Sequence, residues 1–277
     1  MRAWKITGVE RLTLEEPVKH LAVSLVAGRL NVVGADAGPA RVEITSIGER
    51  PVDVTVADGT LTVAHEFPKR WSGLLWWLFG SKYKVDCSIV VPVGAVVELM
   101  VVSGVVIASS LRNGASVEVT SGRITLLGID GGVRGKVISG SIEALTLGGE
   151  VDLETVSGEI VVADSTAHRV AARTISGSVT CDLDNPPDNT NVELDTVSGE
   201  IIVRVREDSD LRVSVHALSG HVVNAFPELD QIGLSSVTGR LGSGTGGRLA
   251  VNATSGTISL LRRPVDDEEA SEEEASE

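Results

Sequence analysis

Cysteine is nearly absent: Cys87 and Cys181 stand far apart in a chain of 277 residues. That excludes a framework of bridges and leaves two reduced, small apolar side chains. Basic charge is scarce too. Lys and Arg number 24 against 38 Asp and Glu, a net charge of −14. A phosphate-backbone partner needs a concentrated basic surface, so no nucleic-acid partner is expected. After MRAWKITG, the residues Glu10, Glu15 and Glu16 fall where the apolar region of a signal peptide would lie; the expected location is cytoplasmic. His20, His65, His168, His216 and His221 show no zinc spacing and no partnered cysteine, so neither a metal site nor another cofactor is expected. No phosphate-cradling glycine loop stands out, because the glycines read as members of a repeat.

What remains is aliphatic. Aromatic residues make up 3% of the chain, and the 42% hydrophobic content rests mainly on Val, Leu, Ile and Ala, interspersed with 30 glycines. This mixture suits short strands and tight turns better than helices. The stretch 88–111 is long enough to cross a bilayer and carries one charge, Glu98. Its Val enrichment, together with Pro92, Gly94 and Gly104, favours consecutive buried strands. Residues 265–277 hold Asp266, Asp267, Glu268, Glu269, Glu272, Glu273, Glu274 and Glu277, and read as an acidic, disordered tail.

One dipeptide recurs. Ser103, Ser121, Ser139, Ser157, Ser176, Ser198, Ser219 and Ser255 each precede glycine, and Thr238-Gly239 fills the widest gap; successive glycines lie 17 to 22 residues apart. Around each marker the apolar residues alternate. Val151, Leu153 and Thr155 lead to Ser157, and after Gly158 the phase shifts to Ile160 and Val162. Period-two alternation puts one face in and one out, and the glycine tolerates the bend. Second turns fall at Asn113-Gly114, Gly131-Gly132 and Gly148-Gly149. The expected fold is an all-β, single-stranded β-solenoid of about 18–22 residues per coil, its nine hydroxyl residues forming a ladder at the inner corner. Fainter copies at Ala27-Gly28 and Asp58-Gly59 extend the array toward the N-terminus. The domain organisation expected is one solenoid over 1–264, with degenerate coils over 1–96, an insertion at 67–84 and regular coils over 97–264.

The hexapeptides TVSGEI at 155–160 and 196–201, with TISGSV at 174–179, resemble the bacterial putative-adhesin family of β-solenoid proteins, whose function is unknown. The resemblance covers about residues 20–262. It implies the solenoid fold and brings no catalytic residues with it.

One segment breaks the pattern. FPKRWSGLLWWLFGSKYK, residues 67–84, holds every aromatic residue of the chain except Trp4 and Phe226. Its apolar centre, with Trp71, Leu74, Leu75, Trp76, Trp77, Leu78 and Phe79, is flanked by Lys69 and Arg70 before and by Lys82 and Lys84 after. The strands on either side are expected to pair as a hairpin with this segment as its protruding tip. Interfacial Trp residues with flanking cations suit an anionic membrane surface, and Trp anchors equally suit a partner protein. The alternative is that the segment folds back and caps the end of the solenoid. The function expected is non-enzymatic binding or scaffolding with peripheral membrane association; a protein self-associating through its solenoid ends is the second reading. A carbohydrate-active enzyme is the third. It would need clustered carboxylates, and the nearest set, Asp182 and Asp184 before Asn185-Pro186-Pro187-Asp188, has the composition of a turn. His216 and His221 are expected to face outward.

Overall fold

A computed structural model describes residues 1–65, 80–184 and 190–264. The fold grows from strict alternation interrupted once per coil. Seven strands come first: β1 (Arg2–Ile6), β2 (Glu10–Leu14), β3 (His20–Ala35), β4 (Ala40–Ile47), β5 (Val52–Ala57), β6 (Thr60–His65) and β7 (Lys84–Pro92). Six long strands follow: β8 (Val96–Leu111), β9 (Ala115–Ile129), β10 (Val133–Leu147), β11 (Glu150–Ser165), β12 (Arg169–Leu183) and β13 (Thr190–Arg206). The last four are β14 (Leu211–Asn224), β15 (Asp230–Ile232), β16 (Ser236–Leu241) and β17 (Gly247–Arg263).

Within β11, Val151, Leu153 and Thr155 point inward, Val156 and Ser157 both face out, and Ile160 and Val162 point inward again. The phase therefore flips at the Ser-Gly step, and the strand passes from one face of the stack to the other without leaving the sheet. Glycine is needed there for two reasons. Gly158 has φ 150°, and a Cβ on it would lie 1.8 Å from the carbonyl oxygen of Gly140 in the coil below. Backbone sits on backbone at every corner, and a side chain has nowhere to go.

Parallel pairing keeps the corners aligned, with Ser139 opposite Ser121 and Ser157 opposite both Ser139 and Ser176. The second turn is equally regular: Gly148 donates its N–H to Ile129 O at 2.9 Å, and Thr166 to Leu147 O at 3.0 Å. The result is a long, mostly parallel sheet; among the described residues the fold is all β apart from a short 3-10 turn at Gly80–Tyr83. Most of the buried hydrophobic residues described form one cluster, from Ile6 to Leu260.

The stack does not follow chain order to its end. β17 lies between β13 and β14, parallel to both, so Ser255 is opposite Ser198 on one side and Ser219 on the other. β14 is then flanked by antiparallel β16, with β15 beyond. Phe226 is buried at this end, with the Arg262 guanidinium 5.0 Å from its ring centre and held by Glu228 at 2.9 Å. At the other end β3 carries β6 on its first half and β7 on its second, both parallel. Antiparallel β5 and β1 continue from β6, and β4 and β2 from β7.

Several expectations change. Thr238-Gly239 is not a coil corner: it belongs to β16, where Thr238 is opposite Ser214 and Gly239 opposite Val213 in an antiparallel pair. The chain turns back there to cover β14 rather than winding another coil. The serines are not inside the corner. Ser121, Ser139, Ser157, Ser176, Ser198, Ser219 and Ser255 are exposed and Ser103 half-buried, because two successive residues face out before the phase flips. Nor do β6 and β7 form a hairpin; they pair with β3 and not with each other. Residues 242–246 wrap the chain's own Asp210 carboxylate. Its Oδ2 accepts from the Ser243 hydroxyl at 2.7 Å and the Gly246 N–H at 3.2 Å, and its Oδ1 from the N–H groups of Gly244 and Thr245.

Candidate docking face and insertion point

Two rows of outward side chains run the length of the stack on its first face. The first is the residue immediately before each Ser-Gly. In stack order it reads Val102, Thr120, Ile138, Val156, Ile175, Val197, Thr254 and Leu218. Its five large aliphatic members from Ile138 to Leu218 are exposed, from 42% at Val156 to 72% at Leu218. The second row, two residues earlier, contains Glu118, Lys136, Glu154, Arg173, Asp195, Asn252 and His216. Between them lies a shallow groove of about 690 Å³. Beneath it Thr155, Thr174 and Thr196 are buried, their hydroxyls without hydrogen-bond partners.

Charges in the second row alternate and pair along the stack. Lys136 Nζ lies 3.3 Å from Glu154, Arg173 Nε 3.7 Å from Asp195, and Asn252 Nδ2 donates to Asp195 at 2.9 Å. A contiguous exposed apolar row on such a frame marks an interaction surface. The signal for it was in the sequence, in the Ile, Val or Leu that precedes six of the eight Ser-Gly steps, but period-two alternation alone does not single those residues out.

The aromatic-rich segment enters this same corner. His20 to Ser24 of β3 are opposite Thr60 to Ala64, and Ala27 is opposite Lys84. Between the partners Ala64 and Lys84, β3 itself spends only Leu25 and Val26. Lys69, Arg70, Trp71, Leu74, Leu75, Trp76, Trp77, Leu78 and Phe79 lie outside the described residues. Of the flanking cations, Lys84 is exposed and Lys82 pairs with Glu49 at 3.0 Å. The base of the insertion is well packed. His65 is buried, its Nδ1 accepts the Val26 N–H at 3.3 Å, and its ring meets Tyr83 edge-on at 5.5 Å. Burial holds the His65 pKa down at about 4, opposed by the nearby Asp53 carboxylate. Arg50 stacks over Tyr83 at 5.6 Å.

The features weighed for chemistry are otherwise engaged. Asp182 is paired with Arg204 at 3.0 Å and Arg263 at 3.2 Å, and Asp184 with Arg263 at 3.3 Å. Cys87 and Cys181 are buried and unbridged, and burial pushes both thiols up to about 12; at neutral pH neither is a nucleophile. His216 and His221 face outward and exposed. Among the described residues no group of His, Cys, Asp and Glu is placed to hold a metal ion. No helix there is long and apolar enough to cross a membrane, and residues 88–111 lie mostly in strands β7 and β8.

Long strands stacked in parallel, capped by antiparallel strands and carrying their outward residues in straight rows, define an all-β repeat protein. The chain belongs to the Toastrack DUF4097 family, whose model matches residues 35–261. Among solved structures it is similar to a "putative adhesin" from Bacteroides fragilis, at 11% identity, with a TM-score of 0.43 and coverage of 94% of this chain and 96% of that one. It is similar also to one from Parabacteroides merdae at 10% identity and TM-score 0.35, over 94% and 96% of the two chains. A third is a "putative cell adhesion protein" from Clostridium sporogenes, at 13% identity and TM-score 0.33, over 95% and 100%. No curated protein matches the chain.

Proposed function

We propose that the chain is a non-enzymatic binding module, a rigid stack that docks onto an anionic membrane surface through its Trp-rich insertion. The observation that carries this reading is where the insertion sits. β6 and β7 keep their register on β3 across the break, Ser24 opposite Ala64 and Ala27 opposite Lys84, so the pairing with β3 does not draw on residues 66–79. A segment that this pairing does not require, and that concentrates Trp71, Trp76, Trp77 and Phe79 between Lys69, Arg70, Lys82 and Lys84, is retained for contact. Its apolar centre is too short to span a bilayer, so attachment is peripheral. The indole rings would sit at headgroup depth while the cations meet anionic lipid. A cytoplasmic location with reversible membrane association follows from the same reading. A protein partner would use the same anchors.

The test is flotation of the full chain with vesicles of neutral and of anionic composition, alongside Trp fluorescence. The expected result is a blue shift and co-flotation with anionic vesicles only, lost in Trp76→Ala/Trp77→Ala and weakened as salt rises. Absence of both signals, or their persistence in the double variant, refutes membrane docking through this segment.

A further inference from the structure

The exposed apolar row is its own complement when reversed. Placing a centre between β11 and β12, Val156 maps onto Ile175 and Ile138 onto Val197. Going outward, Thr120 maps onto Thr254 and Val102 onto Leu218, so polar meets polar and apolar meets apolar at every step. Around the centre the neighbouring charged row has the same symmetry with its sign inverted: Glu154 maps onto Arg173, and Lys136 onto Asp195, while further out Glu118 maps onto the neutral Asn252.

We infer that this face binds a second copy of the chain, as an isologous dimer whose two-fold axis lies in the interface along the strand direction, between β11 and β12. Rotation about that axis reverses the stack while leaving each row at its own lateral position. Apolar row therefore meets apolar row, and charged row meets charged row with opposite signs opposed. Both copies share one inter-strand spacing of about 4.8 Å, so the match is held along the whole row without drift. A partner with a helical or irregular surface would match at one or two coils only. An isologous contact requires this reciprocity, residue i meeting j and j meeting i.

The size of the face sets the strength. Seven inter-strand steps of about 4.8 Å give a row roughly 34 Å long. With a width of about 12 Å, it covers on the order of 400 Å² per copy, which falls short of the roughly 1,200 Å² total of a standard stable interface. The dimer is accordingly reversible, forming in the micromolar range. This differs from association through the stack ends, where β14 is already covered by β16.

Sedimentation velocity on the full chain, from about 2 to 500 µM at low ionic strength, reads the equilibrium directly. The expected result is a monomer–dimer shift over that range. Arg173→Glu alone and Glu154→Arg alone should each weaken it by about tenfold or more, because each two-fold contact becomes a like-charge contact. The combined Arg173→Glu/Glu154→Arg variant should return to within about threefold of wild type, since reversing both partners restores attraction. Ile175→Lys should abolish the dimer with an unchanged far-UV spectrum, the residue being exposed. A monomer at every concentration overturns the inference, as does a dimer that survives Ile175→Lys or a double reversal that fails to rescue. A dimer lost in Trp76→Ala/Trp77→Ala but kept in Ile175→Lys would place self-association in the insertion and overturn it too.

Discussion

The corner glycine makes the sharpest stability prediction. In Gly158→Ala the new methyl would sit 1.8 Å from Gly140 O and 2.7 Å from Gly140 C, at φ 150°. Neither atom belongs to a flexible side chain; both are backbone of the adjacent coil. Holding a non-glycine residue in that region of φ costs about 1–3 kcal/mol. Relieving the overlap must part the two coils locally and weaken one or two ladder hydrogen bonds, at about 1 kcal/mol each. The sum is about 4 kcal/mol. Gly128→Ala is the matched control: its φ is 60°, and nothing lies within 4 Å of the added carbon, so only the conformational cost of about 1 kcal/mol applies. Urea unfolding of both variants, followed by far-UV circular dichroism, measures the difference from the midpoints at constant slope. A Gly158→Ala variant within about 1 kcal/mol of Gly128→Ala would falsify the view that corners are backbone-on-backbone contacts.

Ser157→Ala should change stability by less than about 0.5 kcal/mol in the same experiment, since the side chain is exposed. Thr174→Val should stabilise by about 1 kcal/mol, because it replaces a buried hydroxyl without a partner at a position where β10 carries Val137; a loss of stability would refute the reading. The buried His65 gives a pH dependence. Its folded pKa of about 4 lies below the ordinary 6.5, so the neutral form is favoured by folding. Stability is full above pH 6.5 and declines as pH falls through 4. The shift corresponds to about 3 kcal/mol, reduced to about 2 for residual solvent screening. His65→Leu should flatten the unfolding midpoint between pH 6.5 and 4 relative to wild type, and an unchanged slope would exclude His65 as its source.

The alternation of Val, Leu and Ile and the regular Ser-Gly step were enough to determine an all-β fold with a long, mostly parallel sheet, because both features express local backbone geometry: period two sets the faces, and glycine marks the flip. The outward position of the serines was not legible. Alternation read through Val156 places Ser157 inside, and only the phase flip, which begins one residue before the glycine, sends it out. Thr238-Gly239 shares the motif but not the place, since whether a strand winds on or turns back depends on what it must cover. The same holds for β17, whose slot between β13 and β14 is a long-range pairing that no local spacing encodes. The insertion was conspicuous by composition, yet its site at the corner of a coil, in line with the exposed apolar row, came only from the pairing of β6 and β7 with β3. The self-complementarity of that row likewise belongs to the fold: its members are scattered along the chain from Val102 to Thr254, and only stacking puts them in order.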